Sequence, residues 1–168
     1  MRITGWFLSF IVIVGSVVLT GCQPKSESPD PDQLASVRDD VEAFAATVAH
    51  DVTAEGPKAW HKFFAHSPEF YMASNGQLVF PNIDSATVFV DSLTVWVRSI
   101  QLEWSDIVVD PINRELALFR ASYHEVITES SGRRISENGY CTATVEHTSG
   151  DWKFRNLHWS TIGGNESR

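Results

Sequence analysis

Asn156 and His158 stand two residues apart near the end of the chain, in a run from Trp152 to Thr161 that alternates apolar and polar side chains. A neutral imidazole can take a proton as a general base or hydrogen-bond a ligand near physiological pH. A histidine bonded to a nearby backbone group would be structural instead, and residue type alone leaves both roles open. Asn156 suits two tasks as well, orienting a ligand carbonyl or hydroxyl, or holding His158 in one tautomer. Tyr123, Trp104, Trp60 and Met72 have the size and polarity to wall an apolar cavity, although each would serve equally as ordinary core. Cys141 has no Lys or Arg beside it to favour the thiolate, so it reads as a small buried residue rather than a nucleophile. The 6 histidines are scattered, with no His-Glu-x-x-His and no Cys-x-x-Cys. His61 and His66, five apart, are poorly spaced as metal ligands. Neither a metal nor a cofactor is expected.

These residues depend on a sheet for their positions. Four runs, Gln101–Val109, Arg114–Ile127, Ile135–His147 and Trp152–Thr161, are rich in β-branched and aromatic residues with period two. Turn signals separate them: Asp110-Pro111-Ile112-Asn113, Ser130-Ser131-Gly132-Arg133 and Thr148-Ser149-Gly150-Asp151. An antiparallel four-strand meander follows. If residues 110–113 and 148–151 are the turns, Glu103 faces Arg120 as an ion pair, Ala143 faces Asn156 and Cys141 faces His158. One face then gathers Leu102, Trp104, Phe119, Ala121, Tyr123, Cys141, Ala143, Val145, Trp152 and Phe154. Asn156 and His158 are its polar exceptions, each opposite a small residue that leaves room for a pocket. Asp106 shares this face near a strand end. Tyr140, Leu157 and Trp159 fall on the outer face as an apolar patch suited to a homodimer contact. A slip of one residue would reverse these faces.

Ahead of the sheet the periodicity is helical. Asp30 caps and Pro31 opens a first helix, with Gln33 placed for a capping box. Leu34, Val37, Val41, Phe44, Val48 and Val52 then recur at three- and four-residue spacing. Gly56 ends it, and Pro57 opens a shorter helix with Trp60, Phe63 and Phe64 on its apolar side. Phe70–Ala73 and Leu78–Phe80 read as a small hairpin around Asn75-Gly76. Asp84 caps a third helix reaching about Arg98.

The 168 residues suit one domain, and the formal charge of −8 argues against nucleic acid as a partner. Residues 1–21 lie outside that domain. Arg2, the apolar Phe7–Leu19 and the closing Leu19-Thr20-Gly21-Cys22 resemble a bacterial lipoprotein signal peptide, which implies cleavage before Cys22 and its lipidation. Loss of Arg2 leaves 12 basic against 21 acidic side chains, a balance of −9. The lipid, not charge, would then hold the protein to a membrane. Residues 22–32 form the lipidated cysteine and a Pro-rich linker, 33–162 the domain, and 163–168 a polar tail. The expected location is the cell envelope. Gln23 after Cys22 favours the outer membrane or cell surface over inner-membrane retention.

Two amphipathic helices, a hairpin, a third helix and a meander make the element order of the NTF2-like superfamily. The ending Gly150-Asp151-Trp152-Lys153-Phe154 through His158-Trp159-Ser160 resembles the Gly-x-Trp…His-x-Ser ending of its SnoaL-like and DUF4440-like branches. The resemblance implies an α+β cone, a curved antiparallel sheet packed against three N-terminal helices, with an interior pocket and often a dimer. It implies no single activity, since enzymes and pure binding modules share the fold. In the steroid-isomerase branch the base is an Asp on the small hairpin, and residues 70–83 contain no Asp or Glu.

The expectation that follows is a lipid-anchored domain that binds a small, mostly apolar molecule without transforming it. Asn156, His158, Tyr123, Trp104, Cys141, Trp60 and Met72 are its candidate ligand contacts. One alternative is an enzyme of the isomerase, dehydratase or cyclase kind with His158 as base. The other is a dimerisation or protein-interaction module.

Overall fold

The computed structural model describes residues 30–162; the expected signal peptide, Cys22, most of the linker and the polar tail lie outside them. Helix α1 spans Pro31–Glu55. The Asp30 carboxylate accepts from the Asp32 backbone N–H at 3.1 Å, and Pro31 occupies the first turn, where no intrahelical N–H partner is lost. Gln33 does not complete a capping box. Its Oε1 accepts from Arg114 Nε at 2.6 Å, joining the helix start to the sheet. Val37, Val41, Ala45, Val48 and Val52 form one buried stripe. Gly56, at φ 75°, stops the helix and returns its N–H to the Val52 carbonyl.

The expected second helix is a six-residue 3₁₀ turn, Pro57–Lys62. It holds the Trp60 ring stacked on Phe64, 5.7 Å between centroids and 17° between planes. A tight hairpin follows, β1 (Tyr71–Ser74) and β2 (Gln77–Phe80). Asn75 and Gly76 both take positive φ at its tip, as a two-residue primed turn requires. Helix α2 spans Ile83–Trp96. Its cap is Asn82 rather than Asp84, paired reciprocally with Ser85, and its β-branched end passes directly into strand β3 at Val97.

Strands β3 (Val97–Pro111), β4 (Leu116–Glu129), β5 (Arg134–Thr148) and β6 (Asp151–Thr161) form the expected meander. The full sheet runs β2-β1-β6-β5-β4-β3, with β1 parallel to β6 and every other pair antiparallel. It is curved and open, and α1 packs on its inner face. All ten residues assigned to the apolar face from Leu102 to Phe154 lie on that inner side; nine are buried and Trp104 is partly so.

Of the register shifts in the sheet, one in β6 and one in the middle of β3 reverse faces that simple alternation assigns. In β6, Val145 faces Phe154 but Thr144 faces Asn156, so Arg155 is the extra residue. Every side chain after it changes face. Leu157 and Trp159 therefore enter the core at 1% and 8% exposure, while His158 points out. In β3, Ser105 faces Ser122 and Val108 faces Arg120, with Asp106 in left-handed backbone at φ 53°. Val109 consequently turns inward. The β3 strand also continues through Pro111, which moves the turn beyond the expected 110–113. Glu103 then faces His124, and Arg120 donates to the Tyr140 hydroxyl at 3.2 Å, so the expected Glu103–Arg120 pair does not form.

Candidate functional site

The inner face of the sheet, the 3₁₀ turn, the hairpin and α2 enclose a cavity of about 250 Å³, at the small end of ligand pockets. Its walls are largely aromatic, with Trp60, Phe64, Phe80, Phe89, Trp96 and Trp159 all contributing. Trp159 stands edge-on to Trp60 at 6.0 Å and to Tyr123 at 4.6 Å. That inward placement follows from the Arg155 bulge, without which the indole would face away.

The polar end of the cavity comes from the alternation of β4 and β5. Inward positions run Phe119, Ala121, Tyr123, then Glu125; on the partner strand they run Cys141, Gly139, then Glu137. Tyr123 faces Gly139, and Glu125 faces Glu137. A Cβ on Gly139 would lie 2.1 Å from the Ser160 carbonyl oxygen and 2.6 Å from Tyr123 Cε1. Glycine therefore lets β6 and the phenol ring approach closely, and the Tyr123 hydroxyl reaches Thr161 Oγ1 at 3.0 Å. Burial pushes the phenol pKa up, and the charges of Glu137 and Glu125 add to that.

Glu125 and Glu137 are two half-buried carboxyls directly across a strand pair. Like charges so placed disfavour double ionisation. Burial, and then the charge of Glu137, push the Glu125 pKa up to about 7. No ion pair among the described residues includes either group. Among the described residues the cavity wall contains no Lys, Arg or His. The Trp159 Nε1 donor is buried without a hydrogen-bond partner among the described residues, as is Trp104 Nε1 on the neighbouring ring.

The candidate contacts chosen from sequence divide into two sets. Trp60, Met72 and Tyr123 line the cavity. Trp104 packs behind it against Phe119 and Trp159. Cys141 is fully buried beneath the cavity, and burial pushes its thiol up to about 12, which leaves it inert. Asn156 and His158 are on the other face. Asn156 Oδ1 accepts from the Thr144 backbone N–H at 3.3 Å, and His158 is exposed opposite Thr142. The bulge removes both from the cone interior, and with them the basis for His158 as a base acting there. It also dissolves the expected dimer patch, because Leu157 and Trp159 are core and only Tyr140 of the three reaches the surface.

Glu125 and Glu137, the groups sequence reasoning passed over, were marked by alternation. Glu125 lies two residues along β4 from Tyr123, and Glu137 four residues back along β5 from Cys141, both on the inward phase. Asp106, by contrast, lies at the exposed β3 bulge, where its carboxylate accepts from Ser122 Oγ at 3.3 Å. Among the described residues, no cluster of three His, Cys, Asp or Glu is arranged to hold a metal ion.

Neither a family model nor a curated protein matches the sequence. Solved structures do match its shape. A scytalone dehydratase-like protein of Novosphingobium aromaticivorans aligns with TM-score 0.70 at 14% identity, over 82% of this chain and 91% of that one. A hexachlorocyclohexane dehydrochlorinase of Novosphingobium barchaimii aligns with TM-score 0.60 at 12% identity, over 80% and 91%. An NTF2-like protein of Salmonella enterica aligns with TM-score 0.59 at 11% identity, over 81% and 95%. The bulged meander, the hairpin joined to it in parallel through β1 and β6, the covering helices and these alignments agree: the chain has the fold of the NTF2-like superfamily.

Proposed function

We propose that the domain binds one small, mostly apolar molecule in its cone, with the polar end of that molecule at Glu125 and Glu137. The observation that carries this reading is an aromatic cavity whose polar end is a carboxyl pair without a protein partner among the described residues. Ser74→Phe, which adds a ring at the cavity wall, tests it. Native mass spectrometry of the purified domain should find a small molecule that departs on denaturation, and Nile red should bind with enhanced fluorescence. Both should be lost in Ser74→Phe. If the variant takes up dye as well as the wild type and no molecule is released from either, the reading is wrong.

A second reading is favoured by one observation, the Glu125 pKa of about 7. A carboxyl poised there is suited to general acid–base work near neutral pH. In an elimination the Glu125 carboxylate would take a proton from carbon. The released electron pair would form the new double bond, and the leaving group would depart with its own pair. The names of two structural neighbours, a dehydratase and a dehydrochlorinase, describe reactions of that kind for those proteins. Turnover that vanishes in Glu125→Gln while ligand affinity persists would favour this reading over simple binding.

The domain's setting is inferred from sequence. Cys22 is the proposed lipid attachment site, and residues 23–30 the tether to the cell envelope. Cys22→Ser should leave an uncleaved precursor without acyl mass. Mature, unlipidated wild-type protein would overturn the assignment.

A further inference from the structure

Resting on the pocket reading, we infer that the ligand is a hydrophobic amine, an apolar body carrying one ammonium group that sits between Glu125 and Glu137.

The charge pattern of the cavity excludes the commoner alternatives. Its titratable lining groups are Glu125 and Tyr123 on β4 and Glu137 on β5; β1 adds the Ser74 hydroxyl, and β6 adds the Thr161 hydroxyl and the Trp159 indole, none of which carries charge. A ligand carboxylate or phosphate would meet two acids and no base. A neutral apolar body would leave those acids as they are, half-buried and facing one another. An ammonium supplies three N–H donors and one positive charge, which matches two carboxyls that face each other across the strand pair. Charge-assisted bonds to both would offset the cost of burying them.

The walls fit the same class. Trp60, Trp96, Trp159 and Tyr123 line the same cavity, and indole faces attract cations. Trp159, only 8% exposed, lines the cavity. The net charge of −8 draws cations toward the protein from solution.

Proton linkage separates this class from a neutral acceptor. An ammonium is held best by an ionised Glu125, so its affinity should climb as pH rises through about 7. A carbonyl ligand would need the protonated acid as donor, and its affinity should fall over the same range.

The test uses three probes of one shape, 2-phenylethylamine, 2-phenylethanol and phenylacetate, titrated by calorimetry into the wild-type domain at pH 5.5 and pH 8. The expected result at pH 8 is amine binding at least about tenfold tighter than alcohol, with no acid binding. Amine affinity should weaken at pH 5.5 while alcohol affinity stays level. Glu125→Gln/Glu137→Gln should remove the amine preference and keep alcohol binding. If the alcohol or the acid binds as tightly as the amine, the amine assignment is overturned while the pocket survives. If none of the three binds, both readings fall.

Discussion

Glu125→Gln tests the carboxyl pair without any ligand. The unfolded chain releases the Glu125 proton near the ordinary value of 4.5, whereas the folded chain keeps it until about 7. Between those values the folded state binds more protons, so the contribution of this group to stability is greatest below about 4.5. It is lost as pH climbs through 7. The full difference of 2.5 between the two values corresponds to about 3 kcal/mol at 1.36 kcal/mol per unit. Glu125 is half-buried rather than sealed, and water reaching it trims the expectation to about 2 kcal/mol. Glutamine keeps the shape and carries no charge. Wild type and variant should therefore melt together at pH 4.5 and separate progressively above it. By pH 8 the variant should be more stable by about 2 kcal/mol, or roughly 8 °C at about 4 °C per kcal/mol for a domain of this size. Calorimetric melts at four or five pH values give the comparison directly. Parallel wild-type and variant curves from pH 4.5 to 8 would refute the paired-carboxyl argument. A bound amine should shrink the gap by supplying the missing charge.

Four further outcomes follow from the geometry. Gly139→Ala drives a methyl to within 2.1 Å of the Ser160 carbonyl oxygen, and urea denaturation should show a loss of more than about 3 kcal/mol or no folded protein. His158→Ala, at an exposed site on the outer face, should change stability by less than about 0.5 kcal/mol and leave Nile red uptake unchanged. Leu157→Ala, one residue away but 1% exposed, should cost about 2–5 kcal/mol in the same denaturation assay. Cys141 should resist Ellman's reagent until the protein unfolds, and labelling of native protein would show that the sheet opens locally.

The long-period features were legible in sequence. The α1 stripe, the Asn75-Gly76 hairpin and the strand runs all follow from spacing repeated over many residues, and with them came the apolar face from Leu102 to Phe154. Single-residue irregularities were not. Arg155 sits in its strand like any other outward arginine, and nothing in its type marks it as the residue that reverses the faces of its successors. His158 therefore looked like a pocket residue and Trp159 like a surface one, and each is the other. The two glutamates failed for a different reason. Alternation placed them inside, but acidic side chains are so commonly solvated that their inward position carried no weight until their partnerless burial was visible. Asp84 lost the α2 cap to Asn82 because Ser85 can return the hydrogen bond to an Asn at that spacing.

The bonds that α1 makes to β3 bear on how the protein avoids aggregation. β3 is both a 15-residue strand and the outermost of the sheet, and such an edge offers free N–H and C=O groups to any extended chain. Two of those groups are taken by α1: Thr53 Oγ1 accepts from the Leu102 N–H at 3.1 Å, and Arg38 Nε donates to the Val109 carbonyl at 3.5 Å. Between them the Asp106 bulge twists the strand out of the straight path another strand would follow. The helix is thus a guard rail for the sheet as well as a roof for the core. The hazardous species is then a partly opened one, with α1 lifted away and the meander intact, which presents a long, ordered template that a fully unfolded chain lacks. Substitutions that loosen α1, such as Val41→Ala or Val48→Ala, should promote fibre formation well before they lower the global melting point enough to expose the rest of the core.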